Sequence, residues 1–165
     1  MIIIICIGYQ GIGKTSLCHN KNISFKFIDL ESSCFRNDEG IRPNDWYIYY
    51  TNVAIDLSKQ HNIVFVSSHK EVRDRLKDCS ENVVCIFPSL KLKDQWIAKL
   101  ETRYKDTGLD KDYRALQNAI HSYDENIKDL MECGIPSIEI EDMNYELKNL
   151  VINHEINIMR NQLLN

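Results

Sequence analysis

The chain has 165 residues, 44% of them hydrophobic, and 20 basic against 24 acidic side chains leave a net charge of −4. That length lets one domain bury a core of its own, and the acidic balance excludes bulk attraction to nucleic acid or to an anionic membrane surface. No stretch reaches the eighteen or so apolar residues that a membrane span needs, and Cys6, Cys18, Cys34, Cys79, Cys85 and Cys133 lie without a C-x-x-C pair or a cysteine–histidine zinc spacing. The expectation is a single cytoplasmic domain over 1–165 with reduced, mostly buried thiols and a small-molecule ligand; neither nucleic acid nor membrane is expected as a partner, and the choice between monomer and homodimer stays open.

The chain begins M-I-I-I-I-C-I-G-Y-Q-G-I-G-K-T. The apolar run lacks a basic leading region and passes straight into glycines, so it reads as a core strand over 2–7 rather than as a signal peptide. Positions 8–15 then match G-x-x-x-x-G-K-T, the Walker A phosphate-loop pattern. Gly8, Gly11 and Gly13 permit backbone angles and close approach that a side chain would block, so successive N–H groups can turn around phosphate oxygens. Lys14 adds a mobile positive charge, and Thr15 opens a helix over 14–19 with its hydroxyl placed to ligate Mg²⁺. The expected phosphate-binding set is Gly8, Gly11, Ile12, Gly13, Lys14, Thr15 and Ser16. A glycine-rich turn with no ligand would have no use for Lys14 followed by Thr15.

Residues 22–30 (N-I-S-F-K-F-I-D-L) alternate and predict the second strand, with Asp29 and Glu31 at its far end. Ligands of open α/β sheets sit beyond the carboxyl ends of the strands, so Asp29 or Glu31 can come beside the loop; a solvated acidic strand end is the alternative. Residues 32–44 read as a loop carrying Arg36 and Arg42. Pro43, Asn44 and Asp45 supply helix-start chemistry for 46–60, with Trp46, Tyr50, Val53, Ala54 and Leu57 on one face. A buried strand over 62–67 ends in Ser67-Ser68-His69, and the next helix turns Val72 and Leu76 inward with Arg73 and Arg75 elsewhere.

A fourth strand over 82–87 is closed by Pro88. Leu92, Trp96, Leu100 and Tyr104 then form a helical stripe in a locally basic segment, interrupted over 106–112 around Gly108. A helix or helix pair carrying Tyr113, Leu116, Ile120, Ile127 and Leu130 ends at Cys133-Gly134. A fifth strand over 136–140 and a closing helix over about 143–163, with Met143, Leu147, Leu150, His154 and Ile158 along one side, complete the chain. Alternating strands and helices predict a three-layer α/β/α fold around a five-stranded parallel sheet, a phosphate-loop NTP-binding fold.

The D-x-x-G and N-K-x-D motifs of a GTP-dependent switch are absent, and the interior strands 62–67 and 82–87 end without the acidic residue of a motor ATPase. On G-Y-Q-G-I-G-K-T, on D-L-E at Asp29 to Glu31, on the element order and on a basic helical insertion after the fourth strand, the chain resembles the nucleoside-monophosphate kinase superfamily, particularly its small nucleotide and deoxynucleotide kinases of the sort found in phages. The resemblance implies a cytoplasmic enzyme, in the host cytoplasm if of phage origin, that uses ATP and Mg²⁺ to pass the γ-phosphoryl group to a (deoxy)nucleoside monophosphate. A hydroxyl acceptor (a nucleoside, a polynucleotide 5′ end or another small metabolite) and a non-catalytic nucleotide-binding module are the alternatives.

The same resemblance implies a helical lid at about 90–122 whose basic residues neutralise the transferring group. Arg103 fits that role best, with Lys99, Lys105 and Arg114 as alternatives. It also places an acceptor site after the second strand, where Arg36 and Arg42 come into play, joined by Arg73; a phosphate-bearing acceptor needs such cationic clamps, whereas an alcohol needs a base. Asp29 would serve as that base or orient Mg²⁺ together with Thr15. His69 lies at the ligand edge and otherwise starts a helix, His154 reads as core, and Trp46 and Trp96 read as packing.

Overall fold

Ile4–Gly8 forms β1, and Ile4, Ile5, Cys6 and Ile7 are all fully buried. Burial of consecutive residues, not of alternate ones, is what a strand covered on both faces requires. The computed structural model describes residues 4–19, 26–60, 63–79 and 82–164. β1 is joined there by β2 (Phe27–Asp29), β3 (Ile63–Ser67), β4 (Asn82–Pro88) and β5 (Ser137–Ile140) in one all-parallel sheet of order β2-β3-β1-β4-β5. The α/β expectation therefore holds. The beginning of the predicted second strand, and Asn62 of the third, lie outside the described residues.

The helices are α1 (Lys14–Cys18), α2 (Trp46–Lys59), α3 (Lys70–Lys77), α4 (Lys93–Thr107), α5 (Asp110–Glu132) and α6 (Leu147–Leu163). From β1 the chain steps two places sideways to β2, then returns through β3, β4 and β5 in the opposite direction. Right-handed crossovers put α1 on one face and the later connections on the other; accordingly α1 touches α6, while α2 packs on α3. The connection that leaves β1 therefore runs to the other side of the sheet from those that leave its neighbours β3 and β4, which makes β1 the switch point. Gly8 pairs with Ser67 on one side and Ile86 on the other, so the glycine loop emerges level with the carboxyl ends of β3 and β4, where ligands of such sheets collect.

Several faces differ from the periodicity reading. Buried positions of α2 are Trp46, Tyr50, Thr51, Ala54 and Ser58, with Val53 and Leu57 only half-buried. The two hydroxyls fit because each bonds a carbonyl of the preceding turn: Thr51 reaches Tyr47 and Ile48, and Ser58 reaches Ile55. Asp45 precedes α2 without a side-chain cap. On α5 the buried stripe is Asp112, Leu116, Ala119, Tyr123, Ile127 and Leu130, leaving Tyr113 and Ile120 exposed. A non-helical Ser122 (φ −138°, ψ 18°) rotates the helix between its halves, which one unbroken period does not anticipate. The last helix starts at Leu147, not at Met143, and buries Val151 and Glu155, so His154 is half-buried rather than core.

The thiols are all free, but only Cys6 and Cys85 are fully buried and Cys34 is exposed, against the expectation of mostly buried sulfurs. No helix among the described residues is long and apolar enough to cross a membrane.

Candidate functional site

The loop after β1 turns through two left-handed glycines, Gly11 (φ +84°) and Gly13 (φ +101°), which no β-carbon-bearing residue adopts without strain. Gly8 is required for a different reason. A Cβ there would stand 2.7 Å from Ile12 Cδ1 and 2.9 Å from Lys14 Cδ, so the loop folds back over the strand end and the Lys14 stem crosses it. Among the described residues, no backbone N–H from position 10 to position 16 donates a hydrogen bond within the chain. A run of unspent donors on a tightly turned loop is the arrangement from which anion-binding concavities are made.

Thr15 and Asp29 come together although 14 residues separate them: the Thr15 hydroxyl donates to Asp29 Oδ2 at 2.8 Å. The pairing follows from topology, because Leu30 N–H donates to Phe65 O and so holds the end of β2 against β3, while the Tyr50 hydroxyl clips both strands by donating to Leu30 O (2.7 Å) and accepting from Ser67 N–H (2.9 Å). Burial pushes the Lys14 ammonium down from its ordinary value, Asp29 and Glu31 oppose that shift, and Arg103 adds to it. Lys14, Asp29, Glu31 and Arg103 thus share one electrostatic neighbourhood. A hydroxyl and a carboxylate are hard oxygen donors, the kind Mg²⁺ takes one or two of while keeping water and phosphate oxygens as its remaining ligands. The residues fit that ion; Ser16 is exposed at the rim, and Ile12 contributes only backbone, its side chain being buried.

The wall of the site is α4. Trp96 is fully buried and donates from Nε1 to Gln10 O at 3.0 Å, and with Leu100 it lies where a Cβ on Gly11 would go. Arg103 binds through Nε to Asp112 Oδ1 at 2.8 Å, and Asp112 is only 2% exposed and also accepts from Thr107. Lys99 is occupied by Tyr145 and the Trp96 ring rather than by open solvent. Lys105 and Arg114 make surface pairs one helical turn away, with Glu101 and Asp110. From α5, Ala115 O accepts from Gln10 Nε2 and Lys111 reaches Glu31 at 3.5 Å, so the second helix of the hairpin also closes on the loop.

On the far side, Arg42 donates to Ser32 Oγ and Ser32 O, lies 4.4 Å over the Trp46 ring, and contacts His69 Nε2 at 2.9 Å. A guanidinium only donates, so His69 Nε2 accepts and its proton sits on Nδ1, facing Ser67 Oγ at 2.9 Å. Desolvation of the ring, helped by Arg42, pushes the imidazole down to about 4 even though part of it meets solvent. His69 is thus held neutral, next to Trp46 at 5.2 Å between ring centroids. Burial and then Arg36 lower the Arg42 guanidinium, with a smaller contribution from Arg114.

Arg73 is a correction. Its side chain is 8% exposed and is consumed by Asp129 Oδ2 (2.8 Å), Asp129 O and Ser68 O, so it fastens α3 to α5 and is not available to an acceptor. Gln10, Trp96, Asp112 and Tyr145 were not foreseen as site residues; Trp96 was foreseen only as packing, and an irregular segment holding Tyr145 carries no periodicity to single it out. No family model matches the chain, and no curated protein matches it in sequence.

Proposed function

We propose that the chain is a phosphate-loop kinase that uses ATP and Mg²⁺ to phosphorylate a small nucleotide, a (deoxy)nucleoside monophosphate. The observation that carries this reading is the conjunction at one strand end of a G-x-x-x-x-G-K-T loop with unspent N–H groups and a Thr15–Asp29 oxygen pair at 2.8 Å. Bound ATP–Mg²⁺ supplies the transferable phosphoryl group and charge neutralisation between its phosphates. The loop amides and Lys14 bind and orient the donor phosphates, and Thr15 and Asp29 hold the metal. Arg103, fixed by Asp112, sets positive charge on the same side as Lys14, where positioning and charge stabilisation supply most of the acceleration in phosphoryl transfer.

The arginines at 36, 42 and 114 favour an acceptor that arrives with its own negative charge. A hydroxyl acceptor would instead call on Asp29 as a base, a role that competes with holding Mg²⁺ beside Thr15. We place the enzyme in the cytoplasm, in keeping with its free cysteines. The test is ADP formation by purified protein with ATP–Mg²⁺ against nucleoside and deoxynucleoside monophosphates, nucleosides and 5′-hydroxyl DNA. Turnover with at least one monophosphate, at ten times the rate of any nucleoside or DNA end, is expected; turnover confined to nucleosides or DNA would replace the acceptor assignment.

A further inference from the structure

The glycine loop is held from outside by two aromatic side chains. Trp96 Nε1 donates to Gln10 O at 3.0 Å, and the Tyr145 hydroxyl donates to Ile12 O at 2.8 Å. The two rings are nearly parallel (19°) with centroids 6.1 Å apart, so they form one wall and the carbonyls of residues 10 and 12 both point at it. A trans peptide is planar, and its C=O and the following N–H point in opposite directions; no cis peptide occurs among the described residues. The N–H groups of Gly11 and Gly13 must therefore point away from the wall, on one common side. We infer that Trp96 and Tyr145 are positioning residues that set the aim of the Gly11 and Gly13 amides at a bound phosphate.

Lys99 completes the device. Its ammonium lies 4.4 Å over the Trp96 ring and donates to Tyr145 Oη at 3.0 Å. An ammonium offers only donors, so the Tyr145 oxygen accepts from Lys99 and its single proton is committed to Ile12 O. Each tied carbonyl is followed by a left-handed glycine, Gly11 after Gln10 and Gly13 after Ile12, which leaves the loop free to be shaped this way, since neither carries a side chain to resist it. Without the wall, the same two peptides could rotate and spend their N–H groups on water.

This inference rests on the loop being a phosphate site, and the experiment separates the two. Tyr145→Phe and Trp96→Phe each delete one donor while keeping an aromatic ring, and Tyr145→Phe, at a half-buried position, keeps the test alive if Trp96→Phe folds poorly. Inorganic pyrophosphate with Mg²⁺ is titrated by calorimetry, and glycine-selective ¹⁵N labelling follows the amides of the chain's six glycines. Each variant should bind pyrophosphate about threefold to tenfold more weakly than the parent, the worth of one hydrogen bond. In the parent the Gly11 and Gly13 signals should move on binding, and in the variants they should start elsewhere and move less. Variants that lose thermal stability but keep pyrophosphate affinity within twofold, with unchanged Gly11 and Gly13 responses, would overturn the inference by making the wall merely structural. A parent protein that binds no pyrophosphate would overturn the phosphate-site reading beneath it.

Discussion

At the scale of single residues, Lys14 separates chemistry from folding. Its stem crosses Gly8 and its charge faces Asp29 and Glu31, so Lys14→Ala removes no large apolar contact. It should lower turnover by about a hundredfold or more while far-ultraviolet circular dichroism and the unfolding midpoint stay near those of the parent. Asp29→Asn keeps the shape but removes the negative charge of the oxygen pair with Thr15, so the Mg²⁺ concentration for half-maximal rate should rise and the maximal rate fall, with ATP affinity less affected. A variant with lost ATP affinity and unchanged rate would contradict that role.

Arg73 behaves in the opposite way. Truncating it to Ala leaves the carbonyls of Ser68 and Asp129 without their donor and should cost about 1–3 kcal/mol in denaturant unfolding, with no specific effect on acceptor affinity. His69 gives a pH signature. Its folded value of about 4 lies below its ordinary 6.5, so between those pH values the unfolded chain binds more protons than the folded one. The contribution is complete above pH 6.5 and is lost as pH falls toward 4; Arg42, Arg36 and Lys14 act with burial to lower the imidazole, and Glu71 opposes them. The urea midpoint of the parent should drop further between pH 7 and pH 5 than that of His69→Asn; equal drops would mean that the imidazole is not held neutral.

At the scale of elements, α4 and α5 form a hairpin joined at Gly108, whose left-handed φ of +62° ends α4. Its two ends differ in anchoring. Leu92 is buried and Trp96 and Leu100 pack against the loop, whereas Leu109, Tyr113 and Ile120 are exposed near the tip and on the outer face. A lid that closes should therefore move from about Arg103 outward as one unit held by the Arg103–Asp112 pair, with the break at Ser122 as one hinge and the Lys111–Glu31 pair as the contact that changes. Amide exchange is expected to be slow over 93–100 in all states, and to slow further over 103–114 only when a non-hydrolysable ATP analogue and a monophosphate are bound together. Equal exchange over 103–114 in every state would show a fixed wall instead.

The stripe Leu92, Trp96 and Leu100 was legible because three successive helical turns repeat it. The indole hydrogen bond to Gln10 was not, since periodicity reports which face is buried and says nothing about what a buried polar atom reaches. The same limit hid Arg73: a charged residue on an amphipathic helix reads as solvent-facing until its partner, 56 positions away, is known.

For the whole molecule, the parallel α/β architecture was readable because every interior strand is a short apolar run bounded by turn residues, and helices of recognisable length lie between them. The sheet order was not readable. The step from β1 to β2 skips the place that β3 later fills, and that choice depends on long-range packing. Yet this order is what brings Asp29 to Thr15, since it sets β3 as the spacer whose end is clipped by Tyr50. The glycine loop was legible as a local motif, whereas the proposed acceptor side, drawn from residues 32–42, the start of α2 and the end of β3, was legible only in part.

The central claim is that this strand-end constellation transfers a phosphoryl group from ATP to a nucleotide. The most direct measurement follows the γ-phosphoryl of labelled ATP in the presence of Mg²⁺ and a mixture of nucleoside and deoxynucleoside monophosphates, for the parent and for Lys14→Ala. Label should appear in a nucleoside diphosphate with the parent and fall by about a hundredfold or more with the variant. Label released only as inorganic phosphate, or transferred equally by both proteins, would contradict the account.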